Sequence, residues 1–243
     1  MNIGSLLRAF GLDAHRLGPT GGLTYRLLEH DLPRLAGTRK PIVFDIGANK
    51  GQTIELMLRT FERPVIYSFE PSASLASMLQ ARFASRGVVV ESLAMGSQVG
   101  ERSFIHYANN ELSSFLEVSS NSGNPFAKAE EAQRQRVQIS TVDHYINEKK
   151  INAIDILKID TQGFELEVLE GASGIISGAG INVIQVEILF EKLYEGQCTA
   201  GKLIDWLGER NYLPVTFYES VRTGLSMSWA TACFVRPSLP AEE

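Results

Sequence analysis

Residues 41–53, PIVFDIGANKGQT, constrain the fold of this chain more than any other stretch. Residues 42–46 form an apolar run with β propensity, and only Asp45 interrupts it. Gly47 and Gly51 follow, and apolar residues then recur at the spacing of one helix face, at Ile54, Met57, Leu58 and Phe61. Strand, glycine turn and helix in this order predict the first unit of an α/β domain, with a ligand beyond the carboxyl end of the strand.

The spacing of the two glycines narrows the ligand. A dinucleotide fingerprint has the pattern G-x-G-x-x-G, which seats a pyrophosphate on the helix N-terminus. Here the pattern is Asp45-x-Gly47-x-x-x-Gly51, with Ala48 and Asn49 between the glycines. It suits a ligand with an amino-acid end and no pyrophosphate, since a Cβ at either glycine would collide with whatever passes close to the turn. The alternative is an ordinary βα turn in which Asp45 only bonds backbone.

A second βα unit places an acid beside the first. Residues 65–69 form a strand that ends in Glu70-Pro71-Ser72, and a helix follows. A carboxylate at the carboxyl end of the neighbouring strand can accept both hydrogen bonds of a ribose diol, so Glu70 is the predicted ribose ligand. The alternative is an acid at a helix start, where the helix dipole favours negative charge.

Two later strands carry carboxylates. Residues 154–159 form an apolar strand followed by Asp160, and residues 181–190 form the longest apolar run, with Glu187 inside it. A carboxylate in such a run must be paired, hydrogen-bonded or at the mouth of the strand. The last apolar segments predict an antiparallel hairpin at the edge of the sheet.

Residues 108–135 are polar and lie between two segments with strand-like alternation. A long loop in a compact domain is more often functional than accidental, so we expect a lid-like insertion with Ser113 and Ser114 closest to a substrate. The alternative is a solvated insertion without a role. His106 lies beside this segment and is a weaker candidate base, because a single histidine on a strand is usually structural.

Composition limits the class of protein. The chain has 243 residues and a formal net charge of −5 at pH 7, which disfavours a sequence-independent nucleic-acid partner. Hydrophobic residues make up 44%, enough for the core of one large α/β domain, and no window reaches membrane-spanning length. Cys198 and Cys233 lack metal-ligand spacing, so we expect free thiols and a cytoplasmic protein.

The chain is expected to divide into two parts. Apolar residues at helical spacing predict an amphipathic helix over residues 3–10, and a second helix runs through Leu28. We expect residues 1–36 to form an N-terminal helical cap and residues 37–243 to form the main domain. The sequence leaves the oligomeric state open.

Four stretches together resemble the FkbM family of S-adenosylmethionine-dependent methyltransferases. They are residues 45–53 (DIGANKGQT), 69–71 (FEP), 157–172 (LKIDTQGFELEVLEGA) and 186–188 (VEI). The motifs that contain Asp45 and Asp160 are far more specific together than either is alone. The sequence departs from the family pattern at Lys50, where an apolar residue is commoner, and at Thr161-Gln162, where the family usually has an apolar residue and Glu.

The resemblance implies a class I methyltransferase fold, a Rossmann-like sheet of seven mostly parallel strands with helices on both faces. It implies S-adenosylmethionine as the cofactor, and O-methylation of a hydroxyl on a sugar, a glycan or a secondary metabolite. The residues expected to bind the cofactor are Asp45, Gly47, Ala48, Asn49, Gly51, Gln52, Thr53, Glu70, Pro71, Leu93, Ala94 and Asp160.

Asp160 and Glu187 are the expected catalytic residues. Methyl transfer from a sulfonium is an in-line displacement, so the protein mainly holds the acceptor and the methyl group in line. An alcohol is a poor nucleophile until its proton is leaving, and one of these carboxylates could accept that proton. A divalent cation held by the pair is the second-ranked alternative, since no third ligand is recognisable.

Two other functions remain open. One is binding of S-adenosylmethionine without catalysis. The other is a nicotinamide-dependent oxidoreductase, which the missing third glycine disfavours.

Overall fold

A seven-stranded sheet organises the part of the chain that the computed structural model describes, residues 28–120 and 132–237. Side by side, its strands are β3 (Val89–Glu91), β2 (Val65–Phe69), β1 (Ile42–Ile46), β7 (Ile154–Ile159), β8 (Ile181–Leu189), β10 (Ser226–Val235) and β9 (Leu213–Thr223). The first five run parallel, and β10 is antiparallel to both of its neighbours. The expected α/β sheet with a terminal antiparallel hairpin is confirmed.

Helices cover both faces of this sheet, because successive side chains of a strand point to opposite sides. Val43 packs on one side and Phe44 on the other, and both are fully buried. Burial on two faces explains why the strands read as apolar runs rather than as alternating patterns. The helices on the side of Val43 are α1 (Leu28–Ala36), α2 (Gln52–Thr60) and α3 (Ala73–Phe83), and those on the side of Phe44 are α4 (Val142–Lys149), α5 (Glu165–Glu170), α6 (Ser173–Ser177) and α7 (Ala200–Gly208).

A second sheet has three strands, β4 (Ala94–Met95), β6 (Gln133–Ser140) and β5 (Gly100–His106), in that spatial order. The expectation of a loop up to residue 135 is therefore wrong at its end, since residues 133–135 pair with β5. The sequence hid this because residues 133–136, QRQR, are all exposed and lack the apolar alternation of a half-buried strand. Residues 121–131 of that segment lie outside the described residues.

Helix α1 packs against the main sheet. Leu28 and Leu32 share a buried cluster with Ile54 and Met57 of α2. The described helix begins at Leu28 and ends at Ala36, and the part of the predicted second helix before Leu28 lies outside the described residues. The first predicted helix, over residues 3–10, lies outside the described residues.

Cys198 and Cys233 are free thiols, as expected. Burial raises the pKa of the Cys233 thiol to about 12, so this group stays protonated. Within the described residues, no helix has both the length and the apolar character needed to cross a membrane.

The two glycines of the first turn make room for the protein itself. Gly47 has φ +79°, and a Cβ there would lie 1.9 Å from the carbonyl oxygen of Asp160. Gly51 has φ +90°, and a Cβ there would lie 2.8 Å from side-chain atoms of Leu79 and Phe83. We expected a Cβ at these positions to collide with an atom close to the turn. The atoms that it would meet belong to Asp160, Leu79 and Phe83 of the same chain.

Replacing Gly47 with Ala tests this close approach, and Gly37→Ala is the matched control. Gly37 also has a left-handed φ of +67°, but nothing lies within 4 Å of its added Cβ. Both variants incur the left-handed backbone strain of about 1–2 kcal/mol. We expect Gly47→Ala to lower the free energy of unfolding by about 3 kcal/mol more than the control, measured by urea denaturation. Equal losses in the two variants would contradict the packing described here.

Candidate active site

A cleft of about 550 Å³ opens at the carboxyl ends of β1, β2, β7 and β8, the edge at which the sequence predicts a ligand. Its lining combines polar groups with an apolar wall that includes Leu112, Phe115, Leu189 and Trp229. The predicted site residues that line it are Gly47, Asn49, Gln52, Glu70, Pro71, Ala94, Asp160 and Glu187.

The other predicted site residues lie behind this surface. Ala48 belongs to the buried core on one face of the sheet, and Leu93 packs against the core on the other. Gly51 and Thr53 lie at the start of α2, and Asp45 is fully buried. These residues position the lining of the cleft rather than form it.

Asp45 is buried beneath the glycine turn with side-chain partners. Ser68 Oγ donates a hydrogen bond to its Oδ2 at 3.3 Å. Lys158 Nζ lies 3.2 Å from its Oδ1 and forms a buried ion pair with it. Among the described residues, the partners of Asp45 are side chains rather than backbone amides, so the backbone-bonding alternative is not supported, and its role toward the cofactor stays a prediction.

Lys158 is the residue that the sequence reasoning missed. Its ammonium donates to the carbonyl oxygen of Gly47 at 2.7 Å and lies 3.7 Å from Asp160 Oδ2. Burial disfavours its charge, but the carboxylates of Asp45 and Asp160 outweigh burial and raise the pKa of Lys158. A lysine inside an apolar strand was a readable signal, because a buried ammonium requires anionic partners.

Glu70 binds backbone amides from two turns. Its Oε2 accepts a hydrogen bond from the Asn49 amide, and its Oε1 accepts one from the Ser72 amide, each at 2.9 Å. Burial raises the pKa of Glu70 to about 7, although both hydrogen bonds act in the opposite direction. Ser72 precedes α3, so this geometry supports the helix-start role, while the ribose role stays a prediction.

Asn49 lines the cleft and has a buried side-chain acceptor without a partner in the described part of the chain. It lines the cleft with a left-handed φ of +46°, and its Oδ1 is buried without a hydrogen-bond partner among the described residues. A buried acceptor left unpaired is costly. A ligand that donates a hydrogen bond here would remove that cost.

Gln162 bridges the two predicted catalytic carboxylates. Its Nε2 lies 2.9 Å from Asp160 Oδ1 and 2.8 Å from Glu187 Oε2, so one amide group donates to both. Its Oε1 lies 2.9 Å from the hydroxyl oxygen of Tyr194, which donates to it. The expected convergence of Asp160 and Glu187 is therefore present, and the residue that joins them is one of the departures from the family pattern.

Glu187 is half-buried at the floor of the cleft. Loss of hydration, followed by the negative charge of Asp160, raises the pKa of Glu187 well above its ordinary value. Within residues 28–120 and 132–237, no three His, Cys, Asp or Glu side chains are grouped so that they could hold a metal ion.

Glu165 supports the turn that carries Gln162. Its Oε1 accepts hydrogen bonds from the backbone amides of Thr161 and Gly163, both at 3.0 Å. Burial raises the pKa of Glu165 to about 7.

Part of the predicted lid forms a roof over the cleft. Leu112, Ser113 and Phe115 line it, and Ser114 Oγ donates a hydrogen bond to the carbonyl oxygen of Gln162 at 2.7 Å. Ser113 Oγ accepts from the Tyr107 amide at 3.2 Å. Both hydroxyls therefore hold the protein backbone, and their expected contact with a substrate stays a prediction.

His106 also lines the cleft, although it ranked low as a site residue. Its Nε2 is buried without a hydrogen-bond partner among the described residues. Burial lowers the pKa of His106, so the neutral form is favoured.

Stability should fall as the pH rises from 5 to 8, because Glu165 binds a proton more tightly in the folded state. Its pKa rises from 4.5 to about 7 on folding, so the destabilisation of up to about 3 kcal/mol develops between these values. Glu165→Gln keeps the Oε1 acceptor and cannot ionise, so we expect a flatter pH dependence of the free energy of unfolding. Glu165→Ala, which also loses the two hydrogen bonds, should be less stable than Glu165→Gln at every pH. A Gln variant with the wild-type slope would contradict this role.

Comparison with solved structures bears on the fold. An FkbM methyltransferase from Methylobacillus flagellatus KT superposes with a TM-score of 0.51 at 14% sequence identity, covering 81% of this chain. This chain spans only 44% of that protein. An O-methyltransferase from Bacillus cereus, in complex with SAH, gives a TM-score of 0.48 at 13% identity and covers 96% of this chain and 88% of its own. At these identities the likeness concerns the fold alone.

Comparison of sequences bears on the family. No curated protein matches the sequence. The family model of the methyltransferase FkbM domain matches residues 45–214, which include the glycine turn, Glu70 and the Asp160 motif. Because the match covers well over half of the chain, the chain belongs to the FkbM methyltransferase family.

Proposed function

We propose that the protein transfers a methyl group from S-adenosylmethionine to a hydroxyl of a small molecule or glycan. The observation that carries the proposal is the carboxylate pair of Asp160 and Glu187, which shares one amide donor at the floor of the cleft. Membership of the family supports methyl transfer. The pair supports a hydroxyl acceptor, because an alcohol must lose its proton as it reacts.

The cleft fits a cofactor with positive charge. The described residues that line it include Glu70, Glu111, Asp160 and Glu187 but no lysine or arginine. When bound, S-adenosylmethionine supplies a methyl group on a positively charged sulfur, and its amino-acid end carries an ammonium. A negative cleft favours both charges.

Individual residues fit the parts of this cofactor. With its side chain turned toward the cleft, Asn49 would accept a hydrogen bond from the ammonium at Oδ1, which lacks a partner among the described residues. Glu70 would accept the ribose hydroxyls with the lone pairs that its two amide partners leave available. Pro71 and Ala94 would offer apolar surface to the adenine.

Glu187 is the better proton acceptor of the pair. Asp160 forms an ion pair with Lys158 at 3.7 Å, which engages one of its oxygens. The raised pKa of Glu187 makes its carboxylate a stronger base, provided that the working pH exceeds that pKa. The proton of the acceptor hydroxyl would therefore pass to Glu187, while Asp160 holds the geometry of the floor.

Direct base catalysis is favoured over a bridging cation. A cation between the two carboxylates would need the oxygens that face each other, and the Gln162 amide nitrogen already lies 2.8 Å and 2.9 Å from one oxygen of each. The metal-bridged mechanism therefore ranks second. Binding of the cofactor without catalysis and a nicotinamide-dependent oxidation are the competing functions, and methyl transfer to a hydroxylated acceptor would exclude both.

The proposal also covers the compartment, the class of acceptor and the domain organisation. We place the protein in the cytoplasm on account of its two free thiols. The net charge of −5 argues against a nucleic-acid acceptor. Residues 1–36 would act as an N-terminal cap of the methyltransferase domain at residues 37–243, and the part of the predicted insertion that precedes β6 would act as a lid.

If Asn49 binds the cofactor, its replacement should lower the affinity for the cofactor without lowering the stability of the ligand-free protein. Asn49→Gly keeps the left-handed backbone but removes the unpaired acceptor, so the ligand-free protein should be as stable as the wild type or slightly more so. Affinity for S-adenosylhomocysteine should fall about tenfold, the equivalent of one lost hydrogen bond to a charged group. Calorimetric titration measures the affinity, and thermal unfolding measures the stability. An unchanged affinity would remove Asn49 from the cofactor site.

The catalytic assignment predicts that Asp160→Asn and Glu187→Gln keep the affinity for S-adenosylhomocysteine and lose methyl transfer by about 10²-fold or more. The assay is methyl transfer to hydroxylated metabolites and glycans of the host. Asp205→Asn is the control, because Asp205 is exposed on α7. Activity that survives EDTA favours the direct base, and rescue by Mg²⁺ favours the metal-bridged mechanism. Full activity in both amide variants would show that the two carboxylates are structural.

A further inference from the structure

We infer that Gln162 is a positioning residue, whose amide clamps the carboxylates of Asp160 and Glu187 in one arrangement and keeps a third negative charge out of the cleft floor. The inference rests on the proposed function for its catalytic consequence. The contacts that join the side chains of Asp160, Gln162 and Glu187 do not depend on that function.

The amide of Gln162 is fully used. Nε2 carries two hydrogens, and its two acceptors are Asp160 Oδ1 at 2.9 Å and Glu187 Oε2 at 2.8 Å. Oε1 receives the hydroxyl of Tyr194 at 2.9 Å. The amide nitrogen is assigned to the side of the two acids, because the reverse orientation would turn the amide oxygen toward the Asp160 carboxylate.

The backbone that carries Gln162 is held in place from both sides. Its φ is +55°, a left-handed value that costs a non-glycine residue about 1 kcal/mol or more. Glu165 binds the amides of Thr161 and Gly163, and Ser114 donates to the Gln162 carbonyl at 2.7 Å. A strained turn persists only where its surroundings determine it, and here they direct the amide onto the carboxylate pair.

The negative charge around the Gln162 amide disfavours a further carboxylate at this position. Besides burial, the charges of Asp160 and Glu165 raise the pKa of Glu187, and the charge of Lys158 acts in the opposite direction. That ammonium is already shared between Asp45 and Asp160. A carboxylate at position 162 would therefore have to take up a proton or recruit a cation, whereas an amide needs neither.

The clamp has a consequence for the reaction. Two carboxylates this close repel each other, and the shared donor holds both where a substrate hydroxyl could meet one of them. Removal of the donor lets the pair separate, which alters the step that moves the proton. It leaves the glycine turn and Asn49 in place, so cofactor affinity should be unaffected.

The first test measures the geometry without any substrate. Gln162→Glu is compared with wild type and with Gln138→Glu, which places the same charge change beside Glu101 at an exposed position. A carboxylate forced into the acidic floor has a raised pKa in the folded state, so stability falls as the pH rises. We expect the thermal midpoint of Gln162→Glu, relative to wild type, to drop by about 5 °C or more between pH 5.5 and 8.5, and 10 mM MgCl₂ to restore part of the loss. Gln138→Glu should follow the wild type.

The second test measures the catalytic consequence. Gln162→Met has a similar length and no donor, so we expect kcat to fall about 30-fold or more while KM and the affinity for S-adenosylhomocysteine change less than about twofold. Tyr194→Phe removes the hydroxyl that contacts the amide oxygen and the Leu112 carbonyl but keeps the Gln162 donor, so it should show a smaller loss of kcat. If Gln162→Met does not fold, Gln162→Leu, which also lacks a donor, takes its place.

The outcomes separate the two proposals. A wild-type protein that methylates no hydroxylated acceptor overturns the proposed function, and the stability test then still decides on the clamp. A pH dependence of Gln162→Glu equal to that of Gln138→Glu overturns the clamp. Full kcat in Gln162→Met, measured with an active wild type, overturns its role in positioning.

Discussion

The buried ammonium of Lys158 is the interaction on which the rest of the cleft depends. It lies between Asp45 and Asp160 and donates to the carbonyl oxygen of Gly47. One cation therefore joins the end of β1, the turn that follows it and the end of β7. Loss of one partner would leave an uncompensated buried charge, which is far more costly than an exposed ion pair.

Burial disfavours the ionised form of three acidic side chains in and behind the cleft. The pKa values of Glu70, Glu165 and Glu187 are all raised, chiefly because burial strips their hydration. Stability is given up at neutral pH to keep these groups together, as is common at functional sites. A positively charged ligand would stabilise the ionised carboxylates and so restore part of the lost stability. The charge of the cleft and that of the proposed cofactor are therefore complementary.

Much of the fold could be predicted from the sequence, because strands buried on two faces and amphipathic helices leave strong apolar patterns. Glu70, Asp160 and Glu187 could be placed at one edge, since parallel strands share the edge at which they end. The roles of Asp45 and Gln162 could not be predicted, because their partners are distant in the sequence and meet only in the folded sheet. The first half of β6 was also missed, because its residues are all polar and exposed and show no apolar alternation. The glycine spacing was read correctly as a close approach, but the sequence could not tell that the Asp160 carbonyl, rather than a ligand, occupies the space.

The contact between Gly47 and Asp160 has a consequence for how such a scaffold can diversify. Gly47 follows β1 and Asp160 follows β7, and these strands are neighbours in the sheet although much of the chain lies between them. That intervening chain includes the three-stranded sheet and the roof over the cleft. Its length and shape can change without moving the two motifs apart, because their spacing is set across the sheet and not along the chain. A lineage built on this plan is free to remodel the roof that faces a new acceptor while it inherits the floor unchanged.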